Sequence, residues 1–418
     1  MFTIMEASPK RKENPLLQKH IRILRGILMT IRAWPADTYE EKILRKICSV
    51  AIVLIITLNV TSELYYIVEN FNNLGFFDLG DLCMTECLAI QTLIRAVFAS
   101  LKRYETVTTE FITKFHLDHF KRCGVHYEKI CRKVNYIAHY ITLVMVANMT
   151  IGVNFFNVVP FYNNLKNGMF NNNKPSDYKP QYSIYMGIPG LKQNEYFLIS
   201  TVHNYFSSYF CSVLICAIDL LMFLMAFHLI GHIAALKHDL HNLPKPGGKF
   251  VMNLVQRKSN YQANSSNGVY NRKESDLIRK QLIKCIDHHN TIVSFAGCVS
   301  ELFGPVLAFS YLNHLVCGAL MLLECTMGDS DTVMRCLPIT IITFSQLAQI
   351  SVTFEIVGSE SEKLIDAVYN TPWECMNTSN RRLVSMFLAK VQTPIRVTAL
   401  GMVDVGVEAM AAILKTTF

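Results

Sequence analysis

The chain has 418 residues, 51% of them hydrophobic and 17% charged, with a mean hydropathy of +0.25. Soluble domains carry about 25% charged residues, so this balance excludes an ordinary soluble domain and points to a polytopic membrane protein. The net charge of +8 does not indicate nucleic acid, because the basic residues gather in alternate loops, and the 13 scattered cysteines form no Cys-x-x-Cys pair, which argues against a disulfide framework or a zinc site.

The first residues are polar and basic, with no apolar core and cleavage site, so no cleavable signal peptide is expected. Residues 1–15 carry no predicted element. From Leu17 to Trp34, apolar residues recur at Leu17, Ile21, Leu24, Leu28 and Ile31, with Lys19, Arg22, Arg25 and Arg32 between them. This spacing predicts a basic amphipathic helix, too charged to span a bilayer. It suits the membrane surface and equally suits packing on the protein's own cytoplasmic helices.

A span needs about 17–25 apolar residues, or more when tilted. Seven segments qualify: 47–69, 82–101, 134–160, 196–230, 291–325, 333–357 and 386–418. Of the 40 Lys and Arg residues, 32 fall in residues 1–46, 102–133, 236–290 and 358–393, and five in the alternate loops 70–81, 161–195 and 326–335. The positive-inside rule then places the N-terminus in the cytoplasm and, with seven spans, the C-terminus outside. This is the reverse of a G-protein-coupled receptor, and neither Asp-Arg-Tyr nor Asn-Pro-x-x-Tyr occurs. The sequons at Asn59, Asn148, Asn264 and Asn377 all fall in spans or cytoplasmic segments, so none is expected to carry glycan. The 161–195 loop is rich in Asn, Tyr and Gly and reads as a cap on the outer face or a linker. The 244–276 stretch reads as a flexible cytoplasmic insertion. No internal repeat supports a transporter with inverted halves.

Inside the spans, Glu86 and Arg95 lie on opposite faces of the second. Arg95 is expected to snorkel toward the cytoplasm, and Glu86 to meet a partner or water. His228 and His232 stand four apart, but no carboxylate or cysteine partner completes a metal motif. Cys325 and Cys336 flank a short external loop, as two free thiols or as a disulfide. No phosphate loop or nucleophile–base arrangement is evident, so neither an enzyme nor a cofactor is expected. The third span carries Met149, Gly152, Phe155 and Phe156, and the fourth His203, Tyr205, Phe206, Tyr209 and Phe210. Two readings of these aromatics stay open: a pocket for a small apolar ligand, and ordinary packing with an interfacial belt.

The C-terminal stretch begins with a polar helical run, Ser361 to Tyr369. Pro372, Trp373, the Arg381-Arg382 pair and an apolar helix from Leu383 follow, and Pro394 interrupts that helix. Residues 394–418 are predicted as one further helix, roughly 37 Å long and long enough to cross the bilayer. Asp404 and Glu408 would then share one face. A carboxylate costs about 2.5–3.5 kcal/mol at the membrane centre, so that face would meet protein or water.

Ser361, Tyr369, Trp373, Arg381-Arg382, Met386, Gln392, Pro394, Thr398-Ala399, Glu408 and Ile413-Leu414-Lys415 resemble the C-terminal signature of insect odorant receptors. Trp34-Pro35 and the run Ile286-Asp287-His288-His289-Asn290-Thr291-Ile292-Val293-Ser294-Phe295 are similar to that family too. The resemblance implies an all-α membrane protein of seven transmembrane helices. Its parts would be a cytoplasmic N-terminal segment (1–46), spans one to six (47–357), a cytoplasmic anchor (358–393) and a pore-side helix (394–418). It implies a tuning subunit of a cation channel, assembled as a heterotetramer with an odorant co-receptor in the plasma membrane. A volatile ligand would sit in the outer half of the bundle, against Met84, Cys87, Met149, Gly152, Phe156, Phe206, Tyr209, Ile341 and Phe344. The pore stripe would be Thr398, Gly401, Asp404, Glu408, Ala412 and Lys415. The subunit anchor would include Ser361, Tyr369, Trp373, Arg382, Gln392 and Pro394. Two departures stand out. The family's last helix usually runs two or three turns beyond the position of Phe418, and Phe354 falls where the family commonly has glycine. Alternatives are a gustatory-type channel that assembles alone and a G-protein-coupled receptor.

Overall fold

The computed structural model describes residues 15–36, 38–171, 178–190, 193–247, 268–327 and 330–417. The N-terminal 14 residues and most of the expected 244–276 insertion lie outside this set. Among the described residues the chain forms ten α-helices: α1 (Lys19–Thr30), α2 (Tyr39–Asn70), α3 (Phe76–Ser100), α4 (Lys102–Glu110), α5 (Val125–Lys166), α6 (Phe197–His241), α7 (Arg272–Met327), α8 (Ser330–Tyr369), α9 (Thr378–Val391) and α10 (Val407–Thr417). Six of them, α2, α3, α5, α6, α7 and α8, are long and apolar enough to cross a membrane, and they cover the first six predicted spans.

The helix starts are written locally. Thr38 and Glu41 form a reciprocal capping box at α2, each side chain accepting from the other's backbone N–H at 3.3 Å. Asn271 and Glu274 do the same ahead of α7, at 2.8 and 2.9 Å. Asn377 caps α9 by accepting from Asn380 N–H at 2.9 Å.

Helix α6 is the axis. Within its most apolar window 83% of residues are buried, against 11% in α2 and 17% in α5. The latter two therefore form the lipid-facing wall, and α3, α7 and α8 close the bundle around α6. One end of the bundle carries α1; the other carries the described residues 178–190.

Helix α1 packs on protein. Ile21, Leu24, Leu28 and Ile31 are all buried, against α5 and α6. Gln18 ties its start to Asp118 through a 2.9 Å hydrogen bond.

The C-terminal segment differs from the single 394–418 helix expected from sequence. After α9 the backbone forms a two-stranded hairpin, β1 (Thr398–Ala399) and β2 (Val403–Asp404), paired antiparallel with Thr398 opposite Asp404. Pro394 denies a helical donor. Val397, Thr398, Val403 and Val405 favour extended backbone, and the turn places Leu400 and Gly401 at φ 54° and 70°, the positive values a tight hairpin turn needs. The 11 residues of α10 then reach roughly 16 Å, half of a hydrocarbon core. Asp404 and Glu408 therefore share no helical face, and Asp404 accepts from Arg396 at 2.9 Å. The hairpin lies directly on α7 at Gly304, where a Cβ would come within 3.0 Å of the Thr398 carbonyl oxygen.

A candidate ligand cavity

Between α2, α3, α5, α6, α7 and α8 lies a cavity of about 190 Å³. Its middle is apolar, with Met145, Met149, Val153 and Phe156 from α5 facing Ile339 and Ile342 from α8. Its edges are polar. Asn59 and Glu63 enter from α2, a helix otherwise turned to lipid, and Ser207, Ser208 and Ser212 form a hydroxyl stripe on α6. Asn59 Nδ2 donates to Ser207 Oγ at 3.1 Å, and the Thr85 hydroxyl donates to the Glu63 carboxylate.

The floor is an ion pair. Arg95, 1% exposed, donates from Nη2 and Nε to Asp219 at 2.8 and 3.2 Å and from Nη2 to Ser310 Oγ at 3.0 Å. Gln91 donates to the same Ser310 oxygen at 3.3 Å. Asp219, Gln91 and His314 all line the cavity. The snorkelling expected of Arg95 does not occur, because a buried carboxylate on α6 is the nearer and drier partner. Glu86 is also buried, and its Oε2 has no hydrogen-bond partner among the described residues.

A strap closes the opposite end. Ile184 and Met186 dip into the cavity. Gly187 N–H donates to the Ser62 carbonyl at 2.9 Å, and Ser62 Oγ donates back to the Gly187 carbonyl at 3.0 Å. Tyr185 stacks on Tyr66 with ring centroids 5.3 Å apart. Gln193 holds the strap's other side through Met186 N–H and the Ile184 carbonyl, at 3.1 and 3.2 Å. The glycine is required at 187, since a Cβ would stand 2.6–3.0 Å from Tyr65 Cδ1 and the Tyr66 backbone.

Of the residues of the third and fourth spans singled out from the sequence, Met149, Gly152, Phe156 and His203 line this cavity. Met84 and Cys87 pack behind its wall with Cys317 and Met321. Phe344 rests on Gly318. Tyr209 and Ile341 point outward, 46% and 61% exposed, and Phe206 lines a neighbouring cavity. On α8 the lining residues are Ile339, Ile342, Thr343, Gln346, Gln349 and Ile350, so Ile342 and Thr343 take the places expected of Ile341 and Phe344. The polar residues inside these spans, Glu63, Asp219 and Gln346, were the signal that sequence reading passed over.

At the basic end, His20 from α1, His116 from the α4–α5 linker and His228 from α6 bring ring nitrogens within 4.8 Å of one another. His116 and His228 accept backbone N–H bonds at Nδ1, from Asp118 and Leu117, both at 3.2 Å. Their ring protons therefore sit on Nε2, which leaves those atoms no lone pair for a metal. Burial pushes His20 down to about 4 and His116 to about 3, from an ordinary 6.5. The unfolded chain thus binds more protons than the folded one below pH 6.5. Stability is complete above that pH and falls as pH drops, by about 2.7 kcal/mol per unit for two histidines. A melting temperature measured at pH 7.5 and 5.5 should show this loss, and His20→Gln with His116→Gln should lessen it; an unchanged slope would refute the assignment.

Ser361 is buried, accepts from Ile395 N–H at 2.9 Å and donates to the Gly358 carbonyl at 2.7 Å. Tyr369, Trp373, Arg382 and Gln392 are exposed, and Pro394 is half-buried. Thr398 bonds Ser300 twice, at 3.0 and 3.1 Å, while Gly401, Asp404, Glu408, Ala412 and Lys415 are exposed. No disulfide joins Cys325 and Cys336, and Cys336 donates to Glu324 at 2.9 Å.

The family profile described as 7tm Odorant receptor matches residues 81–418. The chain belongs to the odorant receptor family. The receptor's fold is similar to that of the insect olfactory receptor OR5 from Machilis hrabei in complex with eugenol. That match has a TM-score of 0.72 and 10% identity, and it covers 95% of this chain and 97% of the other. The structure of OR5 alone aligns with the same TM-score and 12% identity, over 96% of each chain. Among curated proteins, none matches the receptor's sequence significantly. It is thus a multi-pass helical protein of a family of odorant-sensing, non-enzymatic receptors.

Proposed function

We propose that the receptor is the odorant-sensing subunit of a ligand-gated, non-selective cation channel, with a volatile organic molecule bound in the central cavity. The cavity is the observation that carries this reading. All six long helices meet at it, so a ligand that fits one arrangement better than another shifts the whole bundle toward that arrangement. The eugenol complex of the Machilis receptor, which shares this fold, supports a small aromatic volatile as the ligand class.

The loop charges favour a cytoplasmic basic end at the plasma membrane, with the strap outside and the cavity in the outer half. The partner is an odorant co-receptor in a heterotetramer of a sensory dendrite. The exposed Tyr369, Trp373, Arg382 and Gln392, with Ser361 and Pro394, belong to the anchor between subunits. The pore side comprises the hairpin, with Thr398, Gly401 and Asp404, and the exposed stripe Glu408, Ala412 and Lys415 on α10. Acidic groups there concentrate cations.

The test is whole-cell current from cells expressing the receptor with and without an insect odorant co-receptor, across volatile esters, alcohols, aldehydes, phenols and terpenes. Current evoked only in the pair is expected. Current from the receptor alone would favour a gustatory-type assembly. An N-terminal epitope accessible on intact cells would overturn the orientation.

A further inference from the structure

A second cavity of about 350 Å³ lies beside the first, between the loop-end halves of α5 and α6. Its rim carries Val158, Phe161, Val202, Tyr205 and Phe206, each between 43% and 65% exposed. Apolar side chains this open on membrane-crossing helices face lipid, not water. The mouth therefore opens where an apolar volatile is most concentrated, since each methylene favours hydrocarbon about fourfold.

The wall between the two cavities is thin. Asn157 lines the outer cavity and Ser208 the central one, and they touch through a 2.8 Å hydrogen bond. Ser183 on the outer side donates to the carbonyl of Phe156 on the inner side at 3.3 Å. Asn204 donates to the Ile184 carbonyl at 2.8 Å, and its buried Oδ1 has no hydrogen-bond partner among the described residues. Each of these links is made by a side chain. Rotamer changes open them without unpairing any helix, on a timescale far shorter than helix rearrangement.

We propose that the outer cavity is a membrane-side vestibule. An apolar alcohol or phenol dissolved in the outer leaflet enters between α5 and α6. Its hydroxyl donates to Asn204 Oδ1, and it passes the Asn157–Ser208 contact into the central cavity. The proposal rests on the central cavity being the ligand site.

The test is photolabelling of the full-length receptor in lipid nanodiscs, using octanol that carries a diazirine, with a flash at set delays and mass-spectrometric mapping. Label is expected first at Asn157, Val158, Phe161, Val202, Tyr205 and Phe206, and later at Met145, Met149, Gly152, Ser212 and Cys216. Val202 lines the outer cavity and not the central one, and Val202→Trp narrows the mouth. It should slow central labelling about tenfold, a barrier rise of about 1.4 kcal/mol, and leave the final extent unchanged. Val158→Trp, on the facing helix, should do the same and guards against one variant misfolding. Central labelling as fast in the folded variants as in the unaltered chain overturns the vestibule alone. Outer labelling with no central labelling at any delay overturns the central ligand site, and the route to it as well.

Discussion

Arg95→Ala should remove most folded receptor. The substitution strands Asp219 in the membrane interior, and breaking one side of a buried pair costs about 3–5 kcal/mol, a large share of a net stability of about 5–15 kcal/mol. Fluorescence-detected size exclusion and surface labelling would show the loss directly. The informative companion is Arg95→Met with Asp219→Leu. Replacing both charges by packed apolar groups is often neutral or better, so the double variant should fold far better than either single one. Its cavity would have an uncharged floor, and its ranking of odorants should shift away from those with polar groups. Equal loss in the single and double variants would refute the ion pair as the cause.

Gly187→Val should blunt ligand sensitivity while the bundle stays folded. The new Cβ meets the Tyr66 backbone, which cannot yield as a side-chain tip can, so the strap must lift. That releases the two hydrogen bonds to Ser62, each worth about 0.5–1.5 kcal/mol, and separates Tyr185 from Tyr66. Ile184 and Met186 leave the cavity, and the half-maximal odorant concentration should rise about tenfold, the equivalent of about 1.4 kcal/mol. Concentration–response curves at matched surface expression would read this. An unchanged half-maximal concentration would mean that the strap contributes nothing to the bound state.

The membrane-crossing segments were legible because long apolar runs admit few other readings. The phase of those helices was not. On α8, Ile341 and Phe344 are as apolar as the lining Ile342, so only the polar Thr343, Gln346 and Gln349 mark its inner face. Polar exceptions carry more information. Asp219 and Glu63 each sit in a span that should reject them, and each turns inward to the cavity. Their partners, Arg95 and Thr85, come from other helices, so the pairing itself was out of reach. The C-terminal hairpin was legible in part. Pro394, Gly401 and Gly406 interleaved with Val397, Thr398, Val403 and Val405 are strand-and-turn residues, outweighed in reading by the apolar run that follows.

The burial of α1 sets an order of events during synthesis. Its apolar stripe is made first, but the α5 and α6 surfaces that cover it are complete only at His241. At about 5–20 residues per second, the ribosome needs on the order of 10–40 seconds to add the intervening chain. Throughout that interval Ile21, Leu24 and Leu28 have nowhere to go but the headgroup region of the bilayer, where the basic residues beside them meet anionic lipid. The surface-seeking character written into α1 is then a waiting position, left when α6 arrives. A nascent chain stalled before α5 should accordingly be held at the bilayer by α1 as well as by its spans, and the finished receptor should not.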